Sequence, residues 1–415
     1  MPKLRLREAG PALLFMVVLL TLTACGDTVY PNTTFTQFTD LNTTILSLWD
    51  RLLFWGTIVF VVVEAALIIT IIRYRKRPGG PAAKQIHGNA LLEITWTAIP
   101  AIILVLIAVP TVKAIFETQA PAPAGALRVE VIGHQWWWEF RYPELGIVTA
   151  NELYVPVGRT VSFEMTSKDV IHSFWFPAMG GKRDLMANRT NYMWYTPNAD
   201  LGTQAWNGFC TEYCGESHAN MRIRLYTVQP DEFESWAKHQ ASPAVFNPLA
   251  AAAVLAASNT ALTRAVDSTA QPSAGYVFPA ERLPAHVVPQ TPIPAGLDYD
   301  DALHAQGDPT RGATQSFMLG GCIGCHAING IPGAVSAIGP DLTHVASRHT
   351  IASGLFKFDG PTLARWIKNA RHMKPGSIMN TIGRGEYDPI MKMTVTAGLD
   401  DRQIADVVAY LMSLK

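Results

Sequence analysis

The sequence predicts a multidomain membrane protein. It should contain a two-helix transmembrane hairpin, an all-β Greek-key sandwich, a Pro/Ala-rich linker and an all-α C-terminal domain. Three observations carry this. Two long apolar runs lie in the N-terminal part, between residues 48 and 116. Short runs rich in β-branched and aromatic residues, punctuated by Pro, Gly and Asn, fill residues 126–240. Helical spacing of apolar residues returns after Asp301. A chain of 415 residues has room for two or three such domains. Charged residues make up 16% and the formal net charge is zero, so no global field favours nucleic acid as a partner.

The N-terminus carries Lys3, Arg5 and Arg7, then an apolar run from Leu13 to Leu22, then Thr23-Ala24-Cys25. A basic region, a short apolar core and small residues before a cut site make an export signal over residues 1–24. Leu22-Thr23-Ala24-Cys25 resembles a lipobox, which implies a lipidated Cys25. The plainer alternative is an ordinary signal cut nearby, with Cys25 a free thiol.

Within residues 25–125, the run Leu48 to Ile72 has only Asp50, Arg51 and Glu64 as charges, and Leu91 to Phe116 is broken only by Glu93, Lys113, Pro100 and Pro110. Each exceeds the roughly 20 residues that span a bilayer as a helix. Proline is tolerated there when neighbours satisfy the freed carbonyls. The connection holds Arg73, Arg75, Lys76, Arg77 and Lys84 and no acid. The positive-inside rule puts it in the cytoplasm, so both flanks lie outside, as the export signal requires. The expected location is a bacterial inner membrane, multi-pass, with the N-terminal segment and the C-terminal domains on the periplasmic face.

Strands are expected at Leu127–Ile132, Gln135–Tyr142, Glu152–Val155, Thr160–Met165, Asn191–Thr196 and Ile223–Val228, the spacing of a sandwich. This domain ends near Lys238. Residues 241–300 are rich in Ala and Pro, with a short helix expected at Asn247–Val266. Gln271–Gly296 holds six prolines and reads as a semi-rigid, partly extended linker. In residues 301–415, Pro361–Arg371 and Asp400–Leu414 carry helical spacing, and Asp400 or Asp401 is placed to cap the last helix.

The five cysteines carry the chemistry. Cys210 and Cys214 lie four apart, His218 follows four later and Met221 three after that, with His172 upstream. Thiolate, imidazole and thioether together suit copper. One Cys with two His and a Met would make a mononuclear site; the second Cys supplies two bridging thiolates, enough for two coppers. A structural zinc site is the alternative, and Met221 argues against it, since zinc rarely takes thioether.

Cys322-Ile-Gly-Cys325-His326 is the pattern of covalent haem c attachment, with His326 as axial ligand. It follows a helix-like Arg311–Leu319. A zinc or redox C-x-x-C is the competing reading. A distal Met would raise the potential relative to bis-His iron. Met379, in Lys374-Pro-Gly376-Ser-Ile-Met379, is the choice; Met391 and Met393 are rivals, because Gly383–Met393 intervenes before the last helix. The Lys374–Met379 run resembles class I cytochromes c. Ile338-Gly-Pro340-Asp-Leu342 resembles their turn whose proline carbonyl holds the proximal His.

Residues 40 to about 235 resemble cytochrome c oxidase subunit II, with its binuclear CuA centre. The specific stretches are Gly133-His-Gln-Trp136-Trp-Trp138, Asp169-Val-Ile-His172-Ser-Phe-Trp-Phe-Pro177 and the cysteine loop. The resemblance implies a cupredoxin-like sandwich. It implies copper ligation by His172, Cys210, the Glu212 carbonyl, Cys214, His218 and Met221. It also implies that the Glu212 side chain faces a magnesium ion shared with subunit I. Trp136 resembles the family's exposed tryptophan where electrons enter. Glu93 resembles a carboxylate near the mouth of a proton path.

The expected function is the electron-accepting subunit of a haem–copper terminal oxidase. It would take electrons from an external donor through haem c to CuA and on to subunit I, where oxygen is reduced and protons are translocated. Expected partners are subunit I, subunit III, membrane lipid, and a donor that is a cytochrome c, a cupredoxin or a quinol–cytochrome c reductase complex. Three other classes compete. A thioredoxin-fold copper chaperone would need βαβ patterning around the cysteines. A redox-silent subunit of quinol oxidases would lack the ligands. A nitrous-oxide reductase would need a propeller domain for which there is no room. Residues 301–415 hold 11 Lys+Arg against 9 Asp+Glu, and residues 126–240 hold 10 against 13. Opposite net signs favour docking of one domain on the other.

Overall fold

The computed structural model describes residues 30–75, 78–80, 85, 87–244 and 275–415. The export signal, Cys25 and the helix expected at Asn247–Val266 lie outside them.

Two long helices lead, α1 (Asp40–Tyr74) and α2 (Ala90–Gln119), the second containing Pro100 and Pro110. They contact each other, and their outer faces expose Ile69, Ile72, Leu104 and Phe116 among many other apolar side chains. At 1.5 Å per residue, the 35 residues of α1 rise about 50 Å. That exceeds a hydrocarbon core of about 30 Å, so a turn or more protrudes. The protruding end is tied to the next domain. The Thr39 side chain caps α1 at Asn42 N (3.0 Å) and donates to the Met179 carbonyl (2.6 Å). Asn42 Nδ2 donates to the Ala178 carbonyl at 2.9 Å. Both side chains are fully buried. At the other end, Trp194 Nε1 donates to the Ala120 carbonyl just beyond α2.

The sandwich has two five-stranded sheets. One contains β1 (Leu127–His134), β2 (Trp137–Tyr142), β3 (Ile147–Ala150), β5 (Val161–Ser167) and β8 (Asn191–Tyr195), in the order β3-β2-β1-β5-β8. The other contains β4 (Glu152–Pro156), β6 (His172–Trp175), β7 (Arg183–Leu185), β9 (Gln204–Cys210) and β10 (Arg222–Val228), in the order β4-β10-β9-β6-β7. β1 pairs parallel with β5 and β10 parallel with β4; the other pairings are antiparallel. The alternating inward positions of β1 and β5 fill the core with Val129, Val131, Phe163 and Met165. Trp138, Phe140, Phe163 and Phe174 are fully buried there, each contributing about 1.5–3 kcal/mol. α3 (Pro230–Gln240) closes one end. Gln229 and Glu232 form its capping box, and Trp236 stacks on Tyr154 at 4.7 Å.

The strand expected over Gln135–Tyr142 is corrected. β1 runs on to His134, Gln135 and Trp136 form the turn, and β2 begins at Trp137. Residues 275–300 have little regular structure, as the prolines require. They are nonetheless packed down. Phe278 and Val287 lie in the sandwich core, and the Val287 carbonyl accepts from Arg224 Nε.

The last domain rests on α4 (Gly360–Lys368), capped by Asp359, and α5 (Asp401–Ser413), capped by Asp400 with Gln403. Pro309–Arg311 starts as an α-turn and continues as a π-helix through Met318, packed on α5. Buried Asp406 of α5 pairs with Arg311 and accepts from Asp308 N. Two hairpins complete the domain: β11 (Thr350–Ile351) with β12 (Phe356–Lys357), and β13 (Tyr387–Asp388) with β14 (Met393–Thr394). The β11–β12 hairpin lies on the sandwich. Glu152 Oε1 accepts from His349 N, Thr350 N and Thr350 Oγ1 at 2.8–2.9 Å.

Candidate functional site

The first cluster is built by three pieces of one sheet. β6 opens with His172, β9 ends on Cys210, and the following loop carries Cys214, His218 and Met221 into β10. Phe174 pairs with Cys210 across β6 and β9, which brings His172 to the cysteine loop. The two sulfurs lie 3.7 Å apart. His172 Nδ1 is 3.9 Å from Cys210 Sγ, and His218 Nδ1 is 3.5 Å from Cys214 Sγ. Met221 Sδ is 3.9 Å from Cys214 Sγ, and the Glu212 carbonyl is 3.3 Å from Cys210 Sγ. His172, Cys210, Cys214 and Met221 are buried. Gly133 makes room for the ring of His172: a Cβ there would meet it at 2.7 Å.

The electrostatics favour a single thiolate, at Cys210. The hydrogen bond from Cys214 holds Cys210 down to about 4, against the opposing effect of burial. The shared proton correspondingly raises Cys214. Burial alone would lower His172, but the Asp169 carboxylate, 2.7 Å from Nε2, and Cys210 raise it. Asp169 thus fixes the tautomer that presents Nδ1 to the sulfurs. Two adjacent thiols, two imidazoles, a thioether and a carbonyl fit a pair of soft, one-electron metals.

The second site is a cavity of about 300 Å³ lined by Cys322, Cys325, His326 and Met379, with Phe317, Leu363 and Leu411 among its apolar walls. His326 Nδ1 lies 2.8 Å from the Pro340 carbonyl, so it donates and leaves Nε2 as the free lone pair. Desolvation holds this imidazole below its ordinary value, hence neutral. A thiol pair, one oriented imidazole and a thioether around an apolar slot fit a covalent haem. Met391 and Met393 are exposed, are on or beside the β13–β14 hairpin, and do not line the cavity.

Trp136 stands between the two sites. Trp136 lines the haem cavity, and its Nε1 donates to the Cys214 carbonyl at 2.9 Å. Gln135 Nε2 donates to the same carbonyl. The expected surface exposure is not found. Trp136 is half-buried under the C-terminal domain, with Gly376 so close that a Cβ would meet its ring at 2.7 Å. Its own carbonyl accepts from Lys374 Nζ (2.6 Å) and Ser353 Oγ (2.8 Å). Burial pushes Lys374 down to about 7, with the Cys214 thiol opposing. Sequence reasoning missed Asp169, Ser353 and Lys374 as contacts. Asp169 and Lys374 lie inside stretches it singled out, but Ser353 and Lys374 reach Trp136 across more than 200 residues, which leaves no local signal.

Glu93 lies far from both sites, at the start of α2, where its Oε1 accepts from Asn89 N.

Comparison with known proteins bears on all of this. The profile described as cytochrome C oxidase subunit II, transmembrane domain, matches residues 36–114. That of its periplasmic domain matches 145–228, and that of cytochrome c matches 310–415. Cytochrome c oxidase subunit 2 of Alkalihalophilus pseudofirmus is 31% identical over 86% of this chain and 83% of its own length. That of Bacillus sp. strain PS3 is 28% identical over 83% and 80%. A crystal structure of the periplasmic domain of subunit II of the Bradyrhizobium japonicum oxidase is 32% identical, covers 29% of this chain and 96% of that one, and has a TM-score of 0.27. Sandwich, helical hairpin, haem-attachment motif and relatives converge: the chain belongs to the cytochrome c oxidase subunit II family, in a form that ends in a cytochrome c domain.

Proposed function

We propose that this chain takes electrons from an external donor at a covalent haem c, delivers them to a binuclear CuA centre, and passes them to subunit I of a proton-translocating oxygen reductase. The observation that carries this reading is the place of Trp136, between the haem cavity and the Cys214 carbonyl. Cys322 and Cys325 would hold the porphyrin by thioether bonds, and His326 and Met379 would ligate its iron. His172, Cys210, the Glu212 carbonyl, Cys214, His218 and Met221 would hold the copper pair. Once bound, the two groups supply reversible one-electron chemistry that the side chains lack.

The protein's own work is geometric. Pro340 keeps His326 in one tautomer, Asp169 does the same for His172, and apolar side chains such as Phe317, Leu363 and Leu411 line the cavity. Trp136 offers a continuous π-system and one hydrogen bond toward Cys214, a shorter gap than open solvent would leave. The Glu212 side chain would face a magnesium ion at the border with subunit I. Glu93, at the cytoplasmic end of α2, would stand at the mouth of a proton path. The topology that serves this is a membrane hairpin with a cytoplasmic loop and both redox domains in the periplasm. Subunit III, lipid at Cys25, and a cytochrome c, cupredoxin or quinol–cytochrome c reductase donor complete the setting.

The test is a visible, near-infrared and EPR spectrum of the expressed, copper-loaded chain. A c-type α-band with a copper signal split by two equivalent nuclei is expected. A haem band with mononuclear copper, or none, would contradict the reading.

A further inference from the structure

The carbonyl of Trp136 is gripped from the cytochrome side by two donors, Lys374 Nζ at 2.6 Å and Ser353 Oγ at 2.8 Å. Each is costly to place. Lys374 is 3% exposed, and no carboxylate pairs with it among the described residues. Its ammonium is bonded only to carbonyls, those of Trp136 and Ala352. Burying an ammonium without a counter-charge is unfavourable, and an apolar side chain of that length would cost less. Ser353 sits at φ 62°, between Ala352 at 55° and Gly354 at 71°. Consecutive left-handed non-glycine residues persist only where the surroundings over-determine them.

What over-determines them is the copper domain. The single Ser353 hydroxyl proton is shared between the Trp136 carbonyl and Asn151 Oδ1, 3.0 Å away. The Ser353 carbonyl accepts from Arg222 N, and the Gly354 carbonyl from Arg224 Nη2. Arg222 follows Met221 directly. A buried cation and a strained turn thus converge on Trp136, which like its neighbour Gln135 touches both the haem cavity and the cysteine loop.

We infer that Lys374 and Ser353 are positioning residues that clamp Trp136 from the cytochrome domain and so set the haem-to-copper electron step. The inference rests on the reading proposed above. Electron tunnelling falls off exponentially with the gap, so a grip on the bridging residue itself acts on rate without touching either set of ligands. The clamp also explains why the docking is specific: net charges of opposite sign give attraction, and two directed bonds to one carbonyl give register.

The test uses the full chain loaded with haem and copper, as wild type, Lys374→Met and Ser353→Ala. Haem is reduced rapidly, and the appearance of reduced copper is followed. Haem and copper spectra and the haem potential are recorded alongside. Each variant is expected to keep both spectra and to transfer about tenfold more slowly, the effect of about 1.4 kcal/mol. Ser353→Ala stands in should Lys374→Met fail to fold. Unchanged rates with intact spectra would overturn the inference. So would a shifted haem potential with an unchanged rate, which would put Lys374 in the service of the haem instead. A wild type with both centres but no internal transfer would sink the proposed function, and the clamp with it.

Discussion

At His172 the sequence positions that matter are its neighbours in space. Asp169 orients the ring from three residues away, and Gly133 of the adjacent sheet leaves it room. Gly133→Ala is expected to displace the imidazole and lower copper affinity about 10–100-fold, the usual effect of disturbing a ligand's support; titration of the apo-protein with copper measures it. Cys214→Ser would remove one of the two sulfurs proposed to hold the copper pair. The copper EPR signal should change from splitting by two equivalent nuclei to splitting by one, and retention of the two-nucleus pattern would contradict the ligand assignment. Gly376 combines φ 78° with a ring at 2.7 Å. Gly376→Ala should cost about 1–2 kcal/mol in backbone strain alone, read as a lowered denaturant midpoint. The clustering of these side chains was legible because metal and haem ligation demand fixed spacings in one loop. The contacts of Trp136 were not, because Ser353 and Lys374 reach it through tertiary packing.

Among the elements, the membrane helices are legible because lipid selects for length and apolarity alone, and the two runs need no partner to be recognised. Their structural ends, Asp40 and Gln119, lie outside the apolar runs, because capping and polar contacts extend a helix beyond its bilayer stretch. Strands such as Leu127–His134 announce themselves by alternation. His172–Trp175 and Arg183–Leu185 do not: they are short, and the first is buried on nearly every residue. The β13–β14 hairpin shows how a rival ligand pair is kept away from the haem cavity. Asp388 accepts from Ile390 N and Met391 N and pairs with buried Arg371 at 2.6 Å. Burial would raise its carboxyl, but these bonds hold it at about 2. A depressed carboxyl stabilises the fold above its unfolded value near 4, and that contribution is lost as pH falls toward 2. Asp388→Ala leaves Arg371 buried without its partner and should cost about 3–5 kcal/mol, measured by chemical denaturation at pH 7.

The whole molecule is two redox modules held face to face behind a membrane hairpin. Their contact has a pH-sensitive component. His239, at the end of α3, faces His344 of the cytochrome domain with ring centroids 4.4 Å apart. His239 Nε2 and His344 Nδ1 are buried and have no hydrogen-bond partner among the described residues. Burial first, then the neighbouring ring, pushes His239 down to about 4. A histidine depressed in the folded state binds its proton more readily when released. Stability should therefore be full above about pH 6.5 and decline as pH falls toward 4. His239→Phe should flatten the pH dependence of the thermal midpoint across that window, and an unchanged slope would assign the effect elsewhere. Domain order was readable from composition, because bilayer, sandwich and helical modules obey different hydrophobic periods. The mutual placement of the domains was not, since it depends on Glu152, Ser353, Lys374 and the strap around Phe278, each unremarkable in its own segment.

The central claim is that one chain holds a complete internal path from haem to copper. The direct measurement is rapid reduction of the haem in the isolated, fully loaded chain, with copper reduction followed at several protein concentrations. A single rate independent of concentration is the predicted result. A rate that rises in proportion to concentration, or copper that stays oxidised while the haem is reduced, would contradict it.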